Sequence, residues 1–338
     1  MAKKSMILCI AVLALAGISS QAPAEDITYT DYLRALQKDA ADQNSMVIEG
    51  KDGWLFFVPE LRHLTAGIFW GEAAQEASRA SNPDARDPLP ALLDFDQALK
   101  KQNVHLLLVP VPAKASVYPD QLPGAPPTPT DGHSVHTDFY DMLRSNDVDV
   151  LDLTGLFRNA EGHAMYCRQD THWSGAACVL AAKHIAERLD VRAGPAEDMA
   201  AEWRDERIEG DLWRMLNQPD REAEILPLRV ISQNNDPVKP DPNSPVLVLG
   251  DSHGLVFHAG GDMHYRGAGL ADQLAYELGS PVDVVAVRGS GATPARINVF
   301  RRAQRDPSFW NNKRVVIWVF SVREFTESDG WRIIPIAP

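Results

Sequence analysis

Short apolar runs alternate with amphipathic segments along most of the chain, which is the pattern of an α/β protein. The run from His105 to Val111 is almost continuously apolar, as expected for a strand that is buried on both faces of a sheet. The leucine spacing over residues 88–102 predicts a helix before that strand. Ser174 is placed to cap another helix, which we expect to run to about Leu189.

The same alternation continues on both sides of these elements. It predicts strands at 54–58, 148–153, 246–249, 282–287 and 315–320, and helices at 211–216, 270–278 and 294–305. Apolar strands that are separated by helices form βαβ units, so the strands should lie mostly parallel in one sheet with helices on both faces. We therefore predict an α/β three-layer sandwich with a mostly parallel central sheet.

A single domain over residues 25–338 is the simplest division of the chain. Residues 25–45 look like a polar, partly helical lead-in, and residues 119–132 are rich in Pro, Gly and Thr, which predicts a loop. Residues 191–244 are charged and interrupted by prolines. We expect that stretch to form an irregular excursion that lies on the domain.

The N-terminus has the features of a secretory signal. Lys3 and Lys4 precede an apolar run over residues 6–18, and an Ala-x-Ala cleavage site follows at residues 22–24. The alternative is an uncleaved anchor, but the apolar run is shorter than the roughly 20 residues that span a bilayer. We predict that residues 1–24 are a cleavable signal peptide and that the mature protein is exported.

The charge balance excludes one class of partner. The chain has 338 residues, with 33 Lys and Arg against 46 Asp and Glu, for a formal net charge of -13 at pH 7. Nucleic-acid binding depends on basic side chains that neutralise phosphates, so we expect no nucleic-acid partner. The same charge gives no long-range attraction to a polyanionic polysaccharide, so binding of such a polymer would need a local patch of the surface.

Two cysteines remain outside the predicted signal peptide, Cys167 and Cys178. In an oxidising compartment an isolated pair is a natural disulfide candidate, and this bridge would constrain the stretch between the two residues. The alternative is a pair of unrelated buried thiols.

A candidate nucleophile follows the strand predicted at 246–249. Ser252 comes directly after Gly250 and Asp251, at the carboxyl end of the strand, where ligands bind in parallel α/β sheets. The preceding glycine permits a tight turn, and the backbone N–H of Ser252 could face a developing oxyanion. The alternative for this short motif is a simple turn at the end of a strand.

A candidate base with its orienting acid lies earlier in the chain. Asp170 and His172 are two residues apart, so in an extended segment their side chains point to the same side. Asp170 could then fix the tautomer of His172, whose other ring nitrogen would activate Ser252. Asp-x-His could also be a pair of metal ligands or a surface turn. No third and fourth ligands are marked, and we interpret His133 and His136 as solvated loop residues, so we predict no metal site.

These blocks occur together with several others in a recognisable order. The chain resembles the alginate O-acetyltransferase family, the AlgX/AlgJ-like members of the SGNH hydrolase-like superfamily, over about residues 48–326. The matching blocks are Gly53-Trp54-Leu55-Phe56, Glu60-Leu61-Arg62, Val109-Pro110-Val111-Pro112-Ala113-Lys114, Asp170-Thr171-His172-Trp173, Gly210-Asp211-Leu212, Gly250-Asp251-Ser252-His253 and Arg323-Glu324-Phe325. The Asp-x-His block precedes the serine, as in the acetyltransferase branch of the superfamily, whereas ordinary SGNH hydrolases place their Asp and His, spaced Asp-x-x-His, near the C-terminus after the other blocks.

The resemblance implies an SGNH-hydrolase-like (flavodoxin-like) fold and a periplasmic O-acetyltransferase without a cofactor. Ser252 would carry the acetyl group to a hydroxyl of an exopolysaccharide such as alginate, with His172 as general base and Asp170 as its orienter. By analogy, a membrane-bound acyltransferase partner would supply the acetyl group.

Further candidates lie at the ends of other predicted strands. The backbone at Gly289 and Gly291 is a candidate oxyanion donor or a plain turn. Arg323 and Lys114 are candidates for substrate binding or for structural ion pairs.

Two other functions stay open at this point. A carbohydrate acetylesterase would use the same triad with water in place of the sugar hydroxyl. A non-catalytic polysaccharide-binding assembly protein could use the same fold, because a fold does not determine a function.

Overall fold

The computed structural model describes residues 28–126, 134–190, 193–218 and 220–337. The predicted signal peptide, residues 1–24, lies outside the described residues. In the described part of the chain no helix combines the length and the apolar character that crossing a membrane requires.

Within the described residues, the strands form one central sheet and two smaller antiparallel ones. They are β1 (Val47–Glu49), β2 (Leu55–Phe57), β3 (His105–Val111), β4 (Asp149–Val150), β5 (Met199–Ile208), β6 (Glu224–Gln233), β7 (Asp236–Pro237), β8 (Val246–Gly250), β9 (Asp283–Ala286) and β10 (Val315–Ser321). The central sheet has the order β4-β3-β10-β8-β9, and all its neighbouring strands pair in parallel. The predicted α/β class with a mostly parallel sheet is confirmed.

One detail of the topology places the candidate site. In the flavodoxin fold, each strand after the first two is added on the same side of the sheet in chain order, so the last strand lies at the edge. Here the last strand, β10, instead lies at the centre between β3 and β8. The carboxyl ends of β3, β8 and β10 therefore lie side by side, and the loops that follow these three strands meet at one edge of the sheet.

Helices cover both faces of the central sheet. They are α1 (Tyr29–Asp42), α2 (Val58–Leu64), α3 (Ala74–Ala77), α4 (Pro88–Lys101), α5 (Lys114–Val117), α6 (Val135–Ser145), α7 (Thr154–Arg158), α8 (Gly175–Arg188), α9 (Asp211–Leu216), α10 (Leu270–Leu278), α11 (Thr293–Arg305) and α12 (Glu324–Glu327). Residues of α1, α2, α8 and α10 belong to one apolar core, and residues of α4, α6 and α11 belong to the other.

Successive residues of the central strands point alternately into these two cores. On β3, Leu107 and Val109 lie in the first core, whereas Leu106 and Leu108 lie in the second. All four are fully or almost fully buried. This is why the strand sequence is a continuous apolar run rather than an apolar–polar alternation.

The prediction of an irregular excursion over residues 191–244 is corrected by the structure. This stretch contains β5 and β6, which pair in register over ten residues, and the short strand β7. Most residues of β5 are exposed, so its sequence has no apolar face that could reveal a strand. The backbone hydrogen bonds between β5 and β6, rather than a buried face of its own, hold β5 in place.

Candidate active site

Ser252 begins a short 3-10 turn, Ser252–Gly254, directly after β8, and its side chain is largely buried. Gly250 is required before it, because a Cβ atom there would lie 1.8 Å from the carbonyl oxygen of Val319 on β10. Asp251 fixes the turn, since one carboxylate oxygen accepts from the backbone N–H of His253 at 2.8 Å and the other from that of Ser321 at 2.8 Å. The nucleophile candidate is thus held by two neighbouring strands.

A narrow hairpin presents the predicted acid and base. Tyr166 and Trp173 form an isolated antiparallel bridge, and both side chains are fully buried. The residues between them make the tip, which carries Asp170 and His172. Ser174 then caps α8, as predicted, by accepting from the backbone N–H of Ala177 at 3.2 Å. The tip is therefore fixed between a strand-like bridge and a helix N-terminus.

The structure brings together the three residues that the sequence predicted. His172 Nε2 lies 2.7 Å from Ser252 Oγ, and His172 Nδ1 lies 2.5 Å from Asp170 Oδ1. The backbone N–H of His172 also donates to Asp170 Oδ1 at 3.0 Å. All three side chains are buried. This is the hydrogen-bond order of a Ser-His-Asp triad, in which the acid orients the base and the base faces the hydroxyl.

The charges of the acid and the base stabilise each other. Burial acts to lower the pKa of His172, but the carboxylate of Asp170 outweighs burial and raises the pKa of His172 above its usual value. Burial acts to raise the pKa of Asp170, yet the adjacent imidazoles of His172 and His264 hold it well below its usual range. Asp170 is therefore held in its ionised form beside His172.

The block Gly210-Asp211-Leu212 also holds the predicted acid, Asp170. The backbone N–H of Asp211 donates to Asp170 Oδ2 at 2.8 Å, and its carboxylate accepts from the backbone N–H and the hydroxyl of Thr171 at 2.7 and 2.6 Å. A Cβ atom on Gly210 would lie 1.8 Å from the carbonyl oxygen of Gln169. No physical role could be assigned to this block from the sequence alone, because the contact joins residues about 40 positions apart.

Asp170, His172 and Asp211 also form a cluster that could be considered for a metal ion, since one ligand atom of each lies within 4.8 Å of the others. Their facing atoms are already engaged with one another or with Thr171. The donor set is therefore accounted for by hydrogen bonds within the protein.

One further residue of the site, His264, was not assigned from the sequence, and Lys114 was assigned only two alternative roles. His264 Nε2 lies 2.9 Å from Asp170 Oδ2, and the side chain of His264 is only 7% exposed. Lys114 is buried, and its ammonium group donates to the carbonyl oxygens of Asp170, Leu55 and Arg168 at 2.5, 2.9 and 3.3 Å. The structural alternative considered for Lys114 is thus what the contacts show. No local sequence pattern marks His264, which is distant from Asp170 along the chain.

Arg323 lies just beyond β10 and contacts protein groups. Its Nη1 atom is 3.4 Å from Glu60 Oε1 and 3.3 Å from Ser321 Oγ, and its guanidinium group packs over the ring of Phe57. The ion pair with Glu60 is buried. This is the structural role that the sequence left open for Arg323. Its positive charge is also among the groups that act to lower the pKa of His172.

The two glycines of the loop after β9 differ in position. Gly291 packs against the nucleophile turn, since a Cβ atom there would lie 2.5 Å from the backbone nitrogen of Asp251. Gly289 is exposed, has a φ of +92° and has open space around it. Between them, Ser290 Oγ donates to Glu324 Oε2 at 2.5 Å, and burial raises the pKa of Glu324 to about 7. Only Gly291 is therefore close to the predicted nucleophile.

Cys167 and Cys178 are both free and buried, so the predicted disulfide is absent from the structure. The thiol of Cys167 donates to the carbonyl oxygen of Trp173 at 3.4 Å, whereas Cys178 lies on α8 and interacts with the backbone of Leu270. The two sulfur atoms are thus directed at different groups. Burial raises the pKa of both thiols, which disfavours their reactive thiolate forms.

The interpretation of His136 as a solvated loop residue is wrong. His136 lies on α6, and its Nε2 atom is 2.7 Å from Nε2 of the buried His63, whose Nδ1 atom is 2.9 Å from Thr326 Oγ1. Loss of hydration lowers the pKa of His136 to about 4. The Pro- and Gly-rich sequence before α6 hid this helix. His133 lies outside the described residues.

Comparison with known proteins shows the family of the chain. The model of the family described as "SGNH hydrolase-like domain, acetyltransferase AlgX" matches residues 47–322. A relative named "Probable alginate O-acetylase AlgJ" from Pseudomonas aeruginosa is 30% identical over 190 residues, which are 54% of this chain and 44% of that protein. AlgJ of Pseudomonas syringae pv. tomato is 26% identical over 295 residues, which are 82% of this chain and 68% of that protein. The chain spans about half the length of the first two curated relatives that it matches.

Two solved structures share the fold. The O-acetyltransferase domain of Pseudomonas putida AlgJ superposes with a TM-score of 0.59 at 21% identity, covering 82% of this chain and 91% of that one. Pseudomonas aeruginosa AlgX superposes with a TM-score of 0.58 at 17% identity, covering 81% of this chain and 62% of that one. At these identities the likeness concerns the fold. The match of the family model over most of the chain shows that this protein belongs to the AlgX family of SGNH hydrolase-like acetyltransferases.

Proposed function

We propose that this protein is an O-acetyltransferase that moves acetyl groups to hydroxyls of an alginate-like exopolysaccharide through an acetyl ester on Ser252. The observation that carries the proposal is the pair of short contacts on His172, with Ser252 Oγ at 2.7 Å and Asp170 Oδ1 at 2.5 Å. A serine hydroxyl is a weak nucleophile until an oriented base accepts its proton, and these contacts supply that base.

The proposed reaction has two acyl transfers. In the first, Ser252 Oγ attacks the carbonyl carbon of an acetyl donor while His172 Nε2 takes the hydroxyl proton. The bond from the carbonyl carbon to the donor breaks, and His172 returns the proton to the departing group. In the second, His172 takes the proton of a sugar hydroxyl, whose oxygen attacks the acetyl-serine. The ester bond to Ser252 breaks, and the proton returns to Oγ.

Each tetrahedral intermediate would place negative charge on the former carbonyl oxygen, which needs hydrogen-bond donors. The backbone N–H of Ser252 donates to no other group in the described ranges, so it is available for this purpose. The backbone of Gly291 packs against the same turn, which makes its N–H the second candidate donor. Gly289, which is exposed and has open space around it, is the weaker of the two glycine candidates.

The substrate and the partner are inferred from the relatives. Because the curated relatives are named alginate O-acetylases, alginate is the first polymer to test as acceptor. A membrane-bound acyltransferase is the proposed source of acetyl groups, and the sequence features of residues 1–24 support a periplasmic location.

The experiment compares wild type with Ser252→Ala on para-nitrophenyl acetate, with and without mannuronate oligosaccharides. We expect Ser252-dependent release of nitrophenol and, with the acceptor present, Ser252-dependent acetylated oligosaccharide. Release of acetate without any acetylated sugar would instead indicate an acetylesterase. Equal turnover by both proteins would contradict the role of Ser252 and favour a non-catalytic assembly protein.

A further inference from the structure

We propose that His264 is a positioning residue for the reaction: it holds the second carboxylate oxygen of Asp170 from the same loop that carries Ser252. This inference rests on the proposed function, because it concerns the orientation of the same acid and base. The contact is His264 Nε2 to Asp170 Oδ2 at 2.9 Å, between two buried side chains.

The donors around Asp170 divide between its two oxygens. Oδ1 accepts from the ring and the backbone N–H of His172, while Oδ2 accepts from His264 and from the backbone N–H of Asp211. With both oxygens held, the carboxylate cannot rotate without losing hydrogen bonds in a buried place. The orientation of His172 toward Ser252 therefore depends on the donors to Oδ2 as well.

The loop from Ser252 to Gly269 is shaped to present His264. His264 adopts a φ of +67°, which is uncommon for a residue with a side chain, and its backbone N–H donates to the carbonyl oxygen of Gly261 at 3.0 Å. An isolated bridge between Gly260 and Met263 closes the turn just before it. Strained positions of this kind persist where the surrounding contacts compensate for their cost, and here the compensating contact is the one to Asp170.

The contacts form a closed ring. Ser252 contacts His172, His172 contacts Asp170, Asp170 contacts His264, and the loop leads back to Ser252. The distance between the nucleophile turn and the hairpin tip is therefore fixed from two sides. An error in this distance would affect proton transfer more than substrate binding.

The hydrogen bond from His264 also stabilises the negative charge of the Asp170 carboxylate. When its hydrogen bond is removed, more of the carboxylate charge is available to stabilise protonated His172, so the pKa of His172 should rise. Other charged or titratable groups act on this pair and stay in place in the variant. They are Asp211 at the start of α9, Lys114 on α5, His253 beside Ser252, and Arg323 before α12.

The test measures the pH dependence of Ser252-dependent hydrolysis of para-nitrophenyl acetate for wild type, His264→Ala, His264→Gln and His264→Asn. For His264→Ala we expect kcat to fall by about 10-fold to 100-fold, as for other partners that orient a functional histidine. KM should stay within about 3-fold, and the acid limb of kcat/KM should move to higher pH by about 0.5 unit or more. His264→Gln keeps an N–H donor on a side chain of sufficient length and should recover most of kcat.

His258 provides the matched control. It lies on the same loop, and its Nδ1 atom is 3.0 Å from the buried carboxylate of Asp272, away from the triad contacts. His258→Ala therefore removes a comparable buried histidine–carboxylate contact. We expect it to lower Tm without moving the acid limb.

Failure of the inference about His264 and failure of the proposed function give different results in this test. If Ser252→Ala is inactive while His264→Ala keeps the kcat and acid limb of wild type, the inference about His264 is wrong and the proposed function stands. If Ser252→Ala retains full turnover, the proposed function fails and the inference fails with it. If His264→Ala does not fold, the comparison of His264→Gln with His264→Asn decides: higher kcat for Gln supports the inference, and equal values overturn it.

Discussion

The indole Nε1 of Trp173 donates to the backbone carbonyl oxygen of His253 at 3.1 Å, which joins the hairpin that carries the predicted base to the turn that carries the predicted nucleophile. Trp173 directly follows His172 and is fully buried, and His253 directly follows Ser252. The tryptophan of the Asp-Thr-His-Trp block therefore sets the spacing between the predicted base and the predicted nucleophile and is not a surface for sugar stacking.

Replacing this tryptophan should separate the two loops. Trp173→Phe keeps most of the apolar volume but leaves a buried carbonyl oxygen without its donor, so we expect the free energy of unfolding to fall by about 1–3 kcal/mol. Turnover should fall by roughly 10-fold or more, because small displacements of reacting groups are costly. Chemical denaturation and ester hydrolysis measure the two effects. Trp203→Phe, at a side chain that is 49% exposed, should change neither; equal behaviour of the two variants would contradict this role.

Gly210 should not tolerate a side chain. The Cβ atom of Gly210→Ala would lie 1.8 Å from the carbonyl oxygen of Gln169, next to the acid. The backbone must move, so we expect a loss of about 3 kcal/mol of stability and a large loss of turnover. Gly155→Ala is the control, because it lies on α7 with open space around it and should be neutral or stabilising by up to about 1 kcal/mol. A Gly210→Ala variant with the Tm and turnover of wild type would show that this close approach is not needed.

Much of the central sheet could be predicted because its strands have a strong apolar signal. The strand at His105–Val111, the helix capped by Ser174 and the helix at Leu270–Leu278 have the predicted positions. The strand β5 was missed because exposed residues on both of its faces carry no periodic signal. The helix α6 was missed because its first turn follows a Pro- and Gly-rich stretch.

The residues of the site likewise divide into those that could be predicted from the sequence and those that could not. Asp170 and His172 could be paired from their spacing, and Ser252 from its place after a strand. His264 and Asp211 could not be linked to Asp170, because their hydrogen bonds depend on how distant loops meet. The disulfide considered for Cys167 and Cys178 is not formed in the structure, and the sequence could not decide between it and two free thiols, since spacing does not tell which way two thiols point.

The pH dependence of the reaction should show an acid limb above the ordinary pKa of histidine. His172 must be neutral to accept a proton, and Asp170 outweighs burial and raises the pKa of His172 above the ordinary value of histidine. Activity should therefore be present above this raised pKa and fall about tenfold per pH unit below it. Asp170→Asn removes the charge, so the limb should move to lower pH while turnover falls by orders of magnitude. Asp306→Asn, at an exposed acid, is the control, and an acid limb that stays in place in Asp170→Asn would contradict the assignment.

Lys114 should be essential for stability rather than for chemistry. In Lys114→Met three backbone carbonyl oxygens lose a buried donor, among them that of Asp170. We expect the free energy of unfolding to fall by roughly 3 kcal/mol or more, measured by denaturation. Lys101→Met, at an exposed lysine at the end of α4, should be nearly neutral. If both variants unfold at the same denaturant concentration, the ammonium group of Lys114 does not stabilise the segment that carries Asp170.

The measurement that tests the central claim most directly is intact-protein mass spectrometry during turnover of an activated acetyl ester, followed by peptide mapping. The account predicts that wild type gains the mass of one acetyl group, that the group maps to Ser252, and that mannuronate oligosaccharides remove it as acetylated sugar. Ser252→Ala should gain nothing. Turnover of wild type with the acetyl group mapped to another residue, or equal labelling of Ser252→Ala, would contradict the account.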